Sequence, residues 1–177
     1  MTADIRVHTR VEAREIISEI WDELEAAYRR YVAEVPRLDV EVQEDLKKYL
    51  AVRMSGFIEQ MCFHGISGSV GEATSGPIQE FVDSWFYRSP NLTPKQFRDL
   101  VGRFGEPVKS DFEAFLNDGL RSNSLGSLLL LRNSVAHGKP YNGTMSAIEH
   151  YLDLVREIKE WFEQNILADD CSLQRSG

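Results

Sequence analysis

The chain has 177 residues, of which 42% are hydrophobic and 27% charged, and its formal net charge is −8. That length suits one compact core, and the acidic balance argues against a broad nucleic-acid-binding surface, which ordinarily carries a basic excess. A local basic cleft stays open to it, because the field in a cleft follows the charges that line it.

No stretch near Met1 has the make-up of a signal peptide, and no run approaches the roughly 18 apolar residues that span a bilayer, so a cytoplasmic protein is expected. Cys62 and Cys171 lie far apart, the second in a polar tail, so neither a disulfide nor a metal-ligand pair is suggested and no cofactor is expected.

Apolar residues recur at helical spacing and almost nowhere alternate, which predicts an all-α helical bundle of about four long helices plus short inserted ones. A first helix, from about Val11 to Val35, carries Ile16, Ile20, Leu24, Ala27, Tyr28 and Tyr31 inward and stops at Pro36. A second, from about Val40 to Ile66, carries Leu46, Tyr49, Leu50, Arg53, Phe57 and Met61, and the run Gly65-Ile66-Ser67-Gly68-Ser69-Val70-Gly71 should break it. Pro77 opens a third, with Ile78, Phe81, Val82 and Trp85 apolar. Thr93-Pro94-Lys95-Gln96 is a capping box opening a short helix that ends near Gly102 to Gly105. Another short helix follows from about Ser110 to Asn117, then a leucine-rich one from about Ser122 to His137, then a closing one from about Thr144 to Leu167. Residues 1–167 form one expected domain, and 168–177 a polar tail.

The leucine-rich helix ends in Leu131-Arg132-Asn133-Ser134-Val135-Ala136-His137-Gly138. Leu125 and Leu128 to Leu131 leave it no polar face, so it should be central and surrounded. At about 100° per residue, Asn133 and His137 share a face, whereas Arg132 points about 140° away from His137. Arg132 and His137 meet only if the last turn unwinds near Gly138, if a neighbouring helix brings them together, or if a second copy of the chain does. Histidine followed by Gly and then Pro is also ordinary helix termination.

This octapeptide, at the end of an apolar helix and followed by a loop and a long closing helix, resembles the signature of the HEPN superfamily, in which an arginine, an adjacent polar residue and a histidine form a ribonuclease site. Tyr49 to Glu59, YLAVRMSGFIE, is similar to the second helix of the branch called RiboL-PSP-HEPN, and Phe104 to Leu131 has that branch's layout. The resemblance covers most of Val40 to Leu167. It implies metal-independent cleavage of RNA by 2′-OH attack on the adjacent phosphate, with His137 as general acid or base and Arg132 stabilising phosphate charge. Asn133 would orient the imidazole or hold a phosphate oxygen, Glu59 would position Arg132, and Lys139 and Arg121 would contact phosphates. It further implies a homodimer, an RNA substrate, and a toxin-antitoxin or phage-defence setting with an antitoxin or other protein partner. The superfamily also contains non-catalytic members, so a dimeric scaffold module is the alternative.

Other candidates are weaker. His64 and Cys62 lack further ligands for zinc, and the glycines of GISGSVGEATSG lack the lysine of a phosphate loop and are expected to form a flexible connector. His8 and His150 read as a surface and a helix-face residue, Ser124 and Ser127 lack a histidine and carboxylate at readable spacing, and Trp21, Trp85 and Trp161 as packing anchors.

Overall fold

The computed structural model describes residues 9–74, 76–78, 81, 84, 92–139 and 143–168. Among them are no strands and six α-helices with described ends: α1 Arg10–Glu34, α2 Val40–Ala73, α3 Pro94–Val101, α4 Val108–Asn117, α5 Arg121–Ala136 and α6 Met145–Asn165. The chain is an all-α bundle. Most of the helix expected after Pro77, including Val82 and Trp85, and the tail from 169 onward lie outside the described residues, as does His8.

Helix starts follow from local chemistry. Thr9 and Glu12 make a reciprocal capping box at α1, Thr93 and Gln96 make another at α3, and the Thr144 hydroxyl accepts from the Ala147 N–H at α6. Each satisfies amides that the first turn leaves without a partner.

The buried stripe of α1 is Ala13, Ile17, Trp21, Leu24, Ala27 and Tyr31, with Ile16, Ile20 and Tyr28 at its edges. The helix is therefore turned slightly from the expected face, because Trp21 offers the most area to bury and its ring meets Phe57 edge-on at 5.3 Å.

The largest departure lies in α2. It runs without a break through GISGSVG to Ala73, so this run is no flexible connector. The glycines are required by packing: a Cβ on Gly68 would come within 2.6 Å of the Thr9 carbonyl oxygen and 2.8 Å of Ala13, and one on Gly65 would strike the Phe162 ring. Small residues let α1 and α6 close onto α2, and that burial offsets glycine's low helix propensity.

The second half of α2 is buried almost all round, from Phe57 through Ser69 with Gln60 and Phe63 the exceptions, and is the surrounded element of the fold. The leucine-rich α5 is not. It buries Leu125, Leu128, Leu129 and Leu131, but Leu130 is 63% exposed on a face shared with Asn123, Ser127 and His137. Tyr49, expected inside, is 47% exposed.

Contacts fix the helix directions. Glu59 of α2 meets Arg132 of α5, and the Lys47 ammonium donates to the Gly143 carbonyl just past α5, so these two helices run antiparallel. Ser124 pairs with His150 and Arg121 with Glu157, so α5 and α6 are antiparallel too. The end of α6 is gathered by the other helices: Arg10 donates to the Ala168 carbonyl at 3.0 Å, Arg14 to that of Leu167, and the buried Ser69 hydroxyl to that of Ile166. Carbonyls left over at the helix end thus find donors.

Candidate functional site

The end of α5 is a helix stop with all its parts in place. His137 is the C-cap, Gly138 adopts φ +71°, the Gly138 N–H donates to the Val135 carbonyl at 2.9 Å, and the Lys139 N–H donates to that of Ser134 at 3.0 Å. This is the two-bond Schellman closure, and glycine fits the left-handed position without a Cβ clash. The helix does not unwind before His137, whose N–H still bonds the Asn133 carbonyl at 3.2 Å. Its ring is exposed and makes no hydrogen bond to the described residues.

Arg132 lies at the edge of the core, its side chain 20% exposed. One end of its guanidinium stands 3.6 Å from Glu59 Oε2, and Nη1 donates to Asn133 Oδ1 at 3.4 Å. Glu59 is 6% exposed, and its other oxygen accepts from the Leu92 N–H at 3.1 Å. A buried carboxylate without such donors would be costly, so Glu59, Arg132 and Leu92 form one unit tying α2, α5 and the entrance to α3. Both guanidinium contacts are long, which leaves its donors only partly committed.

Helical geometry places these groups on a common side. Round α2 from Glu59, Val52, Gly56, Tyr49 and Gln60 follow in that order at about 20° to 100°; round α5 from Arg132, Asn133 and His137 lie at about 100° and 140°. For antiparallel neighbours those two senses point the same way. The opposite side is taken by α6, through Ser124–His150 on α5 and Phe162 against Gly65 on α2. Val52, Tyr49 and Gln60 are exposed, and a Cβ on Gly56 would meet nothing within 4 Å. Arg132 and His137 border this open side, but diverge within one chain.

Lys139 is exposed just beyond the helix stop. Arg121 is not near these groups: it lies at the other end of α5, about 16 Å along the helix. There its Nε donates to Glu157 at 2.5 Å, Nη1 to Asp118 at 2.7 Å, and the guanidinium rests 4.7 Å from the Phe115 ring centre.

That far end holds what the sequence did not disclose. Ser124 Oγ and His150 Nε2 are 2.8 Å apart beside a cleft of about 310 Å3 lined by Asp118, Leu120, Arg121, His150, Asp153 and Glu157. The two residues stand 26 positions apart on different helices, with no spacing that would pair them. Among the described residues no carboxylate bonds the imidazole, so the third member that orients a catalytic histidine is missing.

His64 is buried, its Nδ1 lacks a partner, and burial lowers its pKa to about 4. Burial raises the Cys62 thiol well above its usual range, followed by the Glu59 charge. No group of three or more His, Cys, Asp or Glu among the described residues is arranged to hold a metal ion, and no helix there is long and apolar enough to cross a membrane. No protein-family model matches the chain, and no curated protein and no solved structure matches it.

Proposed function

We propose that the chain is a metal-independent endoribonuclease of the HEPN kind, acting as a homodimer on RNA in a toxin-antitoxin or phage-defence setting. The observation that carries the reading is the contrast within one helix end: Arg132 seated by the buried Glu59 and touching Asn133, with His137 exposed one turn on. The likeness of LRNSVAHG and YLAVRMSGFIE to the superfamily's motifs supports it independently.

The chemistry asks for a proton carrier and a cation. One imidazole takes the 2′-OH proton as the O2′–P bond forms; the P–O5′ bond then breaks and the leaving oxygen receives a proton, giving a 2′,3′-cyclic phosphate and a free 5′-OH. Arg132 faces the phosphate oxygens with the donors that Glu59 and Asn133 leave available, stabilising the charge of the pentacoordinate state. Glu59 fixes the guanidinium, Asn133 bridges it toward the phosphate, and Lys139 holds the strand. Arg121 contributes at most to RNA running past the far end of α5.

A second copy completes the site. Arg132 and His137 diverge by about 140° on a helix that stays wound, so one chain cannot direct both at one phosphate. Two copies meeting on their open sides bring His137 of one to the phosphate held by Arg132 of the other, and cover Leu130. The exposed Leu130 also favours the second reading, a non-catalytic dimeric scaffold whose α5 face receives a partner protein.

The test is incubation of the purified protein with single-stranded and structured RNA in excess EDTA, beside Arg132→Ala and His137→Ala. Cleavage that leaves cyclic-phosphate ends and vanishes in both variants is expected. Cleavage that persists in both, or no cleavage of any RNA, favours the scaffold.

A further inference from the structure

We infer that Tyr49, backed by Arg53, is a stacking platform for an unpaired RNA base close to the cleaved phosphate. The assignment rests on the ribonuclease reading above and narrows its substrate to single-stranded RNA.

Tyr49 is placed for such a role by three features. It is a large ring left 47% exposed on a helix whose Phe57 is buried and whose Phe63 is partly buried. Arg53 holds it: Nη1 donates to the phenol oxygen at 2.9 Å, the guanidinium carbon lies over the ring 5.8 Å from its centre, and Nη2 is anchored 3.7 Å from Glu23. A ring fixed in this way loses little rotamer freedom when a base stacks on it. Finally, Tyr49 belongs to the open side that also carries Asn133 and His137. With Glu59 level with Arg132 and α2 antiparallel to α5, Tyr49 lies about 7 Å further along the axis than His137, close to two stacked nucleotide rises of ~3.4 Å. Between the levels of Arg132 and His137, a Cβ on Gly56 would meet nothing within 4 Å, which keeps this side open beside the phosphate.

The charges around this side favour stacking over a phosphate clamp. Of the cations bordering it, Arg53 is paired with Glu23 and Arg132 with Glu59, whereas Lys139 has no carboxylate partner among the described residues. Few counterions would be released on binding, so affinity must come largely from base contacts. A duplex keeps its bases stacked and paired and cannot offer one to the ring; a single strand can.

The experiment uses the full chain with His137→Ala to stop cleavage and a short single-stranded RNA oligonucleotide carrying 2-aminopurine. Tyr49→Ala should weaken binding roughly 5- to 150-fold and abolish the fluorescence quenching that stacking produces, while Tyr49→Trp retains both. In the active chain Tyr49→Ala should raise KM for single-stranded RNA more than it lowers kcat, with the melting temperature unchanged. Equal binding and quenching in the Tyr49→Ala variant overturns the platform alone, as does a parent that cleaves only duplex RNA. A parent that neither binds nor cleaves any RNA overturns the ribonuclease reading and the platform with it.

Discussion

At its start, α5 holds Arg121 in two short hydrogen bonds, to Glu157 at 2.5 Å and Asp118 at 2.7 Å, with a histidine nearby that is engaged by Ser124. At its end the same helix holds Arg132 at 3.6 Å from Glu59 and 3.4 Å from Asn133, with His137 open to solvent. The residue types are alike, and the partners differ. Near Arg121 three carboxylates, Asp118, Asp153 and Glu157, line one cleft; near Arg132 a single buried one among the described residues, Glu59, provides the counter-charge. A guanidinium whose donors are consumed inside the fold has little left for a ligand, so availability rather than residue type separates a structural end from a candidate site.

That contrast can be broken at several strengths. The largest effect expected is on RNA cleavage: His137→Ala should slow it roughly 10²- to 10⁴-fold, the usual weight of a general acid or base. Arg121→Ala should change the rate no more than about fivefold, since exposed ion pairs contribute ~1 kcal/mol or less. Equal losses in the two variants, read by gel assay, would erase the difference between the ends of α5.

A third histidine sharpens the comparison. His64 is buried with a partnerless Nδ1 and a pKa lowered to about 4 by burial, so the unfolded chain binds a proton there at a higher pH than the folded one. Its contribution is complete above the ordinary histidine value near 6.5 and is lost as pH falls from there to about 4, by about 3 kcal/mol in all. Urea unfolding across that range should show the decline, and His64→Phe should flatten it. A slope unchanged in the variant would assign the decline to other groups.

The glycines of α2 divide in the same way. Gly65→Ala and Gly68→Ala force a Cβ into Phe162 or the backbone of Thr9 and should each cost about 1–3 kcal/mol. Gly56→Ala meets open space in mid-helix and should stabilise by roughly 0.5–1 kcal/mol. Denaturant midpoints in the reverse order would mean that the close approach of α1 and α6 is wrongly placed.

Much of the fold was legible because its signals are local. Thr93 with Gln96, Pro36, and the Gly138 stop each act within a few residues, and the helices with described ends begin and end within about two residues of expectation apart from α2. What failed depends on partners distant in sequence. A glycine that loosens a chain and one that admits a neighbouring helix read alike until Phe162 and Thr9 are seen beside Gly65 and Gly68. Four successive leucines show no polar face, yet a helix has only as many buried faces as neighbours, so Leu130 was left outside. At the candidate site, Arg132, Asn133 and His137 are adjacent in sequence and could be singled out, while the Glu59 pairing rested on resemblance. Ser124 with His150, and the commitment of Arg121 to Glu157, arise from how α5 and α6 cross, which no spacing within either helix encodes.

The central claim, that Arg132 of one copy and His137 of another act on one phosphate, is tested most directly by mixing. Arg132→Ala and His137→Ala proteins are combined, allowed to exchange subunits, and assayed on single-stranded RNA in EDTA beside each variant alone and the parent. Each variant alone should be inactive and the mixture active, because a mixed dimer keeps one site with both groups. An inactive mixture, with exchange verified and the parent active, would contradict the claim.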